Sequence, residues 1–423
     1  MSSTATGEPT ASGGNDARPV VLLLGTLDTK GAEYAYVADR LRALGAEPLI
    51  VDAGTDEPRG LTPDISRERL AEAAGTTSAQ LAASGDRGTA VSAMARGAAA
   101  VVVELHAERR FDAILALGGS GGSSIAAAAM AALPVGVPKL LVSTMGSGDV
   151  RPYVGALDVM IMNSVVDIAG VNSVSARIMG NAAAAIAGMA GAPAPQIQDR
   201  PTVAASMFGV TTPAVTRARE RLEQLGYEVL VFHATGTGGQ SLEALAADGF
   251  LDGVLDLTTT ELADDLVGGV LSAGPDRLTA AGRAGVPQVV SLGALDMVNF
   301  GPRETVPAQF EDRQLYVHNP TVTLMRTTPD ECRELGRRIG AKLSAAQGAT
   351  ALFIPLRGVS LIDVEGQPFH DPEALTALRD GLAETLQDGV EVHEIDAAIN
   401  DDAVADAMAQ RLHELITERG DRT

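Results

Sequence analysis

Short unbroken apolar runs alternate along this chain with longer segments whose apolar positions recur at helical spacing. The run VVLLLG (Val20–Gly25) is apolar on both faces and closes on glycine, the pattern of a buried parallel strand. GTLDTKG follows, then EYAYVADRLRALG with a helical period and a glycine stop, then the strand PLIVDAG. A strand–helix–strand opening predicts an α/β fold with a doubly wound, mainly parallel, Rossmann-like sheet. After a mixed segment over residues 54–89, the pattern predicts a helix from about Ala90 to Glu108 and the strand FDAILALGG. A helix from Ser123 to about Leu133, the strand PKLLVST and a long alanine-rich helix over residues 164–190 complete the first half.

The segment GAPAPQIQDRP (Gly191–Pro201) concentrates proline where neither a helix nor a central strand tolerates it. Beyond it the opening pattern returns as TVAASMFGVTT, the helix PAVTRARERLEQLG and the strand YEVLVFHATG. RLRALGAEPLIVDA (Arg40–Ala53) and RLEQLGYEVLVFHA (Arg221–Ala234) agree at half their positions, and GVPKLLVS (Gly136–Ser143) finds a partner in GVPQVVS (Gly285–Ser291). Two matches in the same order suggest two related α/β halves, an arrangement whose interdomain cleft is a favoured small-molecule site. The expected organisation is a disordered tail over 1–18, an N-terminal domain over 19–192, a linker over 193–201 and a C-terminal domain over 202–423. A chain of 423 residues exceeds one ordinary core, which agrees with two domains.

Composition narrows the partners. The N-terminal MSSTATGEPTASGGNDARP has no apolar h-region and does not read as a signal peptide, and no run approaches the roughly 18 apolar residues of a membrane span. A membrane is therefore not an expected partner. The single cysteine, Cys332, excludes an intrachain disulfide and fits a reducing, cytoplasmic setting; it reads as a half-buried helix residue. A formal charge of −22 with no basic run argues against nucleic acid, and the absence of tryptophan leaves few stacking platforms. An anionic small molecule can still bind where backbone amides and a few cations are gathered locally.

The strongest local feature is ALGGSGGSS (Ala116–Ser124), between a strand and a helix. Gly118, Gly119, Gly121 and Gly122 expose amides at a helix opening, and Ser120, Ser123 and Ser124 add hydroxyls; that set suits a phosphate or carboxylate. The competing reading is a tight turn whose glycines adopt positive φ, with Ser123 as N-cap. The first βα loop offers Gly25, Thr26, Thr29 and Lys30 to phosphate, with Asp28 orienting Lys30 or holding Mg²⁺. Alternatively Asp28 or Thr29 caps the helix and Lys30 is solvated. Asp52 ends the second strand where a ribose-binding carboxylate sits in nucleotide sites, or else caps a turn. TMGSGDVR (Thr144–Arg151) is a third such loop, with Arg151 in reach of an anion, and Asp86-Arg87-Gly88 opens another helix.

In the second half, GTGGQS (Gly236–Ser241) has a similar face. Arg303 and Arg326 are candidates for clamping a carboxylate, and Glu304 or His318 for general acid–base work; an Arg–Glu surface pair and a satisfied histidine are the structural alternatives. No Walker loop and no zinc spacing occurs, so no metal-ligating cluster is expected. The glycine loop is not read as a nucleophile elbow, and serine hydrolysis is not expected.

Taken together, GTLDTKGAE, DIS, GDRG, LGGSGGSS, GVPKLLVST and SVVDIAGVN, with the long DMVNFGPRETVPAQF and YVHNPTVTLMRTTPDE, resemble the Tm-one-like ATP-binding family, named after a plant tobamovirus-resistance protein. The likeness runs from about Val20 to Ile416. It implies two Rossmann-like domains, a homodimer, and ATP held in the first domain by Gly25, Thr26, Asp28, Thr29 and Lys30, with Gly118–Ser123 and Ser143–Arg151, including Thr144, Gly146 and Ser147, beside them. Met145-Gly146 departs from the small residues expected there. No reaction is implied. A metabolic enzyme acting on an anionic carboxylate or phosphate, or a dimeric interaction protein without catalysis, are the competing functions.

Overall fold

A computed structural model describes residues 18–193 and 200–420 of the chain. The expected tail, apart from Arg18, and the core of the expected linker lie outside these residues. The chain divides into two compact units, Met1–Pro195 and Gln196–Thr423.

The first unit runs β1 (Val20–Gly25), α1 (Leu27–Ala43), β2 (Glu47–Asp52), α2 (Arg67–Ala73), α3 (Ser78–Ser84), α4 (Arg87–Ala107), β3 (Ala113–Gly118), α5 (Ser120–Ala131), β4 (Lys139–Ser143), α6 (Arg151–Val154), β5 (Val159–Asn163) and α7 (Ser175–Ala190). Its sheet is parallel throughout, in the order β2-β1-β3-β4-β5. The central strand β3, AILALG, is buried along its whole length, as expected of a strand covered on both faces. One face carries α4 and α5, the other α1 and α7, each closing its own apolar cluster. By length and composition α4 is apolar enough to cross a membrane, yet its Ala90, Met94, Ala98, Val101 and Val102 form part of the core.

The second unit runs β6 (Thr202–Met207), α8 (Thr212–Gln224), β7 (Glu228–His233), α9 (Thr237–Ala247), β8 (Gly253–Thr258), α10 (Glu261–Val267), α11 (Ala280–Arg283), β9 (Gln288–Gly293), β10 (Met297–Phe300), β11 (Leu315–Asn319), β12 (Val322–Arg326), α12 (Pro329–Ser344), β13 (Thr350–Pro355), α13 (Pro372–Thr385), β14 (Glu391–Ile395) and α14 (Asp402–Gly420). Six parallel strands lie in the order β14-β13-β9-β8-β6-β7, and β10, β12 and β11 form a small antiparallel sheet. Cys332 is buried in α12.

The two large sheets share a register up to Asp256, beyond which the β8–β9 pairing shifts by one residue. Val20 pairs with Glu47 as Thr202 pairs with Glu228; Val21 faces Ala113 as Val203 faces Gly253; Ile114 faces Lys139 as Val254 faces Gln288. The core β2-β1-β3-β4 is thus repeated as β7-β6-β8-β9, and counting along β3 and β8 sets Gly121 against Glu261.

Several element boundaries differ from the sequence pattern, and α1 already opens at Leu27, within GTLDTKG. Helix α5 opens at Ser120 rather than Ser123, so Gly121 and Gly122 belong to its first turn. Helix α4 opens at Arg87, because the Asp86 carboxylate accepts from Gly88 N at 2.9 Å and caps it. The alanine-rich helix starts only at Ser175: β5, which the pattern did not predict, occupies Val159–Asn163, Val165 turns the chain at φ 62°, and the Asn172 side chain accepts from Val174 and Ser175 amides at 2.9 and 3.0 Å.

Candidate functional site

At the carboxyl ends of β1 and β3 lies a cleft of about 560 Å³, within the range of small-molecule sites. One wall is the turn that opens α1, contributing Thr26, Asp28, Thr29 and Lys30. The opposite wall is Gly118–Gly122 at the start of α5. Arg87 and an apolar strip of Leu81, Ala90, Val91, Met94 and Ile125 close the third side.

None of the four glycines adopts a positive φ. A Cβ at Gly118 would meet Ser123 N at 2.7 Å, so close packing excludes a side chain there. At Gly119 the nearest atom would be Thr144 Oγ1 at 3.8 Å, at Gly122 Leu117 O at 3.6 Å, and at Gly121 Val91 Cγ2 at 3.5 Å with Arg87 Nη2 at 3.8 Å. Those three have room for a methyl group and no conformational need of glycine. The turn reading, in which positive φ demanded glycine, is therefore not what the backbone shows. No side chain caps α5, so its first amides face the cleft with the positive end of the helix dipole behind them. The Arg87 guanidinium lies beside them and has no hydrogen-bond or ion-pair partner among the described residues.

The α1 turn is arranged differently. Thr26 O accepts from Thr29 N at 3.3 Å and Lys30 N at 2.9 Å, and the two threonine hydroxyls lie 3.0 Å apart. Lys30 Nζ donates to Ile168 O from a half-buried position at the cleft wall, and α1 kinks at this residue. Asp28 does not orient Lys30. Its Oδ2 accepts from the amides of Thr55 and Asp56 at 3.1 and 3.2 Å.

Several expected contacts fall elsewhere. Gly25 makes space for the Tyr34 ring, which a Cβ would meet at 2.0 Å; the Tyr34 hydroxyl donates to Leu24 O and accepts from Leu117 N at 2.7 Å. Asp52 is fully buried and caps α1, its Oδ1 accepting from Leu27 N at 3.1 Å and Gly54 N at 2.8 Å, so it does not stand where a ribose would meet it. Burial holds its carboxyl above the usual range. Ser123 is also buried, 2.7 Å from Ser143 Oγ, and is not the N-cap; Gly119 is. Thr144 and Ser147 line a separate polar cleft with Asn163 and Ser164, while Gly146 packs against Asn163, whose Cα a Cβ would meet at 2.9 Å. Arg151 is bound to Asp149 through contacts of 2.9 and 2.7 Å on the exposed surface.

The run Gly118-Gly-Ser120-Gly-Gly122 does satisfy G-x-S-x-G on a strand-to-helix turn, contrary to the expectation from sequence. No histidine lines the cleft to serve Ser120 as a base, so the hydrolase reading gains nothing from the match.

In the second unit, Arg326 is buried and its Nη groups are spent internally, on Asp296 O at 3.2 Å, Thr327 Oγ1 at 2.7 Å and Asp363 Oδ1 at 3.3 Å. It cannot close with Arg303 as a clamp. Arg303 and Glu304 lie exposed on a short 3-10 turn and His318 is exposed near the end of β11. The GTGGQS loop is already filled. Glu261 Oε1 accepts from Gly236 N at 2.7 Å and Gly239 N at 3.0 Å, and its Oε2 accepts from Nε of fully buried Arg277 at 2.6 Å. Asp256 accepts from the same guanidinium at 2.6 Å. The unit thus seats its own carboxylate, held by an arginine, on the amides that open α9; at the position that counting along β3 and β8 matches to Glu261 the first unit has Gly121.

With that contrast in view, the comparisons place the molecule. The Uncharacterised protein family (UPF0261) N-terminal domain matches residues 19–195 and its C-terminal domain residues 200–416. The chain belongs to the UPF0261 family. A UPF0261 protein of Clostridium tetani is 51% identical over 394 residues, covering 93% of this chain and 98% of that one. One from Rhizobium meliloti is 48% identical over 389 residues, covering 92% and 96%. The ToMV resistance protein Tm-1(GCR237) of Solanum lycopersicum is 36% identical over 425 residues, covering 94% of this chain; the chain spans only 56% of that protein. The family likeness read from the motifs is therefore established, and the parallel α/β architecture it implied is observed. A Streptomyces glycosyltransferase solved with thymidine diphosphate aligns at a TM-score of 0.19 and 17% identity over 64% of this chain and 82% of its own, too slight a likeness to argue from.

Of the residues expected to bind a cofactor, the structure gathers Thr26, Asp28, Thr29, Lys30 and Gly118–Gly122 around one cleft. Arg87 and the apolar strip were missed as a group. The GDRG motif carried the only signal for Arg87, and the apolar residues look like any core-facing helix until the cleft is seen to open beside them.

Proposed function

We propose that the first unit is a nucleotide-binding domain, with ATP as its ligand. The phosphates lie between the α5 amides of Gly119–Gly122 and the Thr26–Lys30 turn, with Arg87 as a further cation, and the adenine rests on the apolar strip of Leu81, Val91, Met94 and Ile125. The observation that carries this is the set of glycines that the backbone does not require: Gly119, Gly121 and Gly122 have ordinary φ and open Cβ positions. A glycine in a helix costs about 0.5–1 kcal/mol relative to alanine, so its retention at a cleft wall fits close approach by a ligand. Helix openings hold phosphate through their free amides and dipole, which supports the same reading.

Isothermal titration of the full chain with ATP tests it. A saturable heat, abolished when Gly121 is replaced by glutamate, is expected; no heat at millimolar ATP would remove the proposal.

A further inference from the structure

The proposed phosphates and base take up two sides of the cleft, and the sugar that joins them falls to the rest of its lining. Outside the phosphate walls, Arg87 and the apolar strip, that lining is Ala53, Thr55, Asp56, Ala82, Gly85 and Asp86. Three of these side chains are polar. Asp86 is spent as the cap of α4, accepting from Gly88 N and Thr89 Oγ1. The Thr55 hydroxyl and the Asp56 carboxylate have no hydrogen-bond or ion-pair partner among the described residues.

Their backbone, by contrast, is held at three points. Asp28 Oδ2 accepts from both amides, at 3.1 and 3.2 Å, and Arg67 Nη1 donates to Asp56 O at 2.6 Å. Gly54 lets the loop settle there, since a Cβ would lie 2.9 Å from Asp28 Cγ. Arg67 is ion-paired with Glu57 and Glu68 and makes no ion pair with the Asp56 carboxylate. A loop whose main chain is pinned while its polar side chains stay free loses little entropy when a ligand binds. The loop also leaves the carboxyl end of β2, which lies beside β1 in the sheet. Dinucleotide-binding sheets of this kind place a ribose-reading carboxylate in that region. Asp52, expected in that role, caps α1 instead, and Asp56 is the next carboxylate along the chain.

From this we infer that Thr55 and Asp56 form a sugar subsite that reads the vicinal hydroxyls of a ribose, which makes the ligand a ribonucleotide with both hydroxyls free. The inference rests on the nucleotide reading above. An ionised carboxylate only accepts hydrogen bonds, so Asp56 selects a donating hydroxyl, and the Thr55 hydroxyl can donate to or accept from the second one.

Titration calorimetry of the full chain with ATP and with 2′,3′-dideoxy-ATP, at one Mg²⁺ concentration, tests it. The wild type binds ATP about tenfold or more tightly than the dideoxy nucleotide, as loss of a hydrogen bond to a charged acceptor requires. Asp56→Ala brings ATP down to the dideoxy level and changes the affinity for dideoxy-ATP by less than about threefold, because the group it removes has no partner in that complex. Asp56→Asn, which keeps the shape and loses the charge, serves should the alanine variant fail to fold. Equal affinity of the wild type for the two nucleotides, or a loss on substitution that falls equally on both, overturns the sugar subsite and leaves the nucleotide reading in place. No heat with either nucleotide removes that reading and the subsite with it.

Discussion

Replacing Gly121 with glutamate sets a carboxylate in the first turn of α5, at the position that counting along β3 and β8 matches to Glu261. Position 121 has an ordinary φ and offers a Cβ no closer than 3.5 Å to any neighbour. Relief of the glycine penalty contributes about 0.5–1 kcal/mol, and a carboxylate in the first turn adds about 0.3–1 kcal/mol through the helix dipole. A net gain of about 1 kcal/mol raises the melting temperature of a unit this size by about 2–4 °C. The same carboxylate stands where phosphate is proposed to lie. Two unit charges about 4 Å apart at an effective dielectric near 20 repel by about 4 kcal/mol, roughly a thousandfold in affinity. The variant therefore melts higher than the wild type without ligand and loses the shift that saturating ATP confers. Gly121→Ala separates the two effects, keeping the helix gain while adding only a methyl beside Arg87. Differential scanning calorimetry with and without ATP reads both quantities. The reasoning is refuted if the glutamate variant melts lower than the wild type, because the glycine was then structural, or if it still binds ATP within about threefold, because the phosphate is then elsewhere.

Other consequences are as direct. Arg87→Ala leaves unfolding unchanged, since the guanidinium has no protein partner among the described residues, but weakens ATP by about ten- to a hundredfold through loss of a charge-assisted bond; titration calorimetry checks both halves. Arg277→Met strands Asp256 and Glu261 without their countercharge in the core of the second unit and costs about 3–5 kcal/mol, read as a fall in urea midpoint. Asp264, raised by burial from the usual 3.8 to about 7, holds a proton in the folded chain that the unfolded chain releases above about pH 4. With respect to this group the second unit is most stable in acid and loses stability as pH climbs toward 7, by on the order of 4 kcal/mol across that window. Asp264→Asn flattens the dependence, and urea midpoints taken between about pH 5 and about pH 8 measure it. An unchanged slope in the variant would place the titration elsewhere.

Much of this architecture is written locally. Runs such as VVLLLG and AILALG are too uniformly apolar to serve anywhere but inside a covered parallel sheet, and the glycine stops between them set the alternation of strand and helix. The repeat of Arg40–Ala53 in Arg221–Ala234 announced two related halves, and the motif string announced the family. What chain order could not convey is which free groups remain free. Gly25 and Gly121 look alike in sequence, yet one yields to the Tyr34 ring and the other opens onto a cleft. GTGGQS and GGSGGS look alike too, but Glu261, far along the chain from the loop it caps, closes the first of them. Asp52 and Arg326 carried the right chemistry and were consumed by helix capping and a buried ion pair. Local pattern decides conformation because backbone sterics and burial act over neighbouring residues; whether an amide or a charge is available to a ligand depends on partners that only long-range packing brings within hydrogen-bond distance.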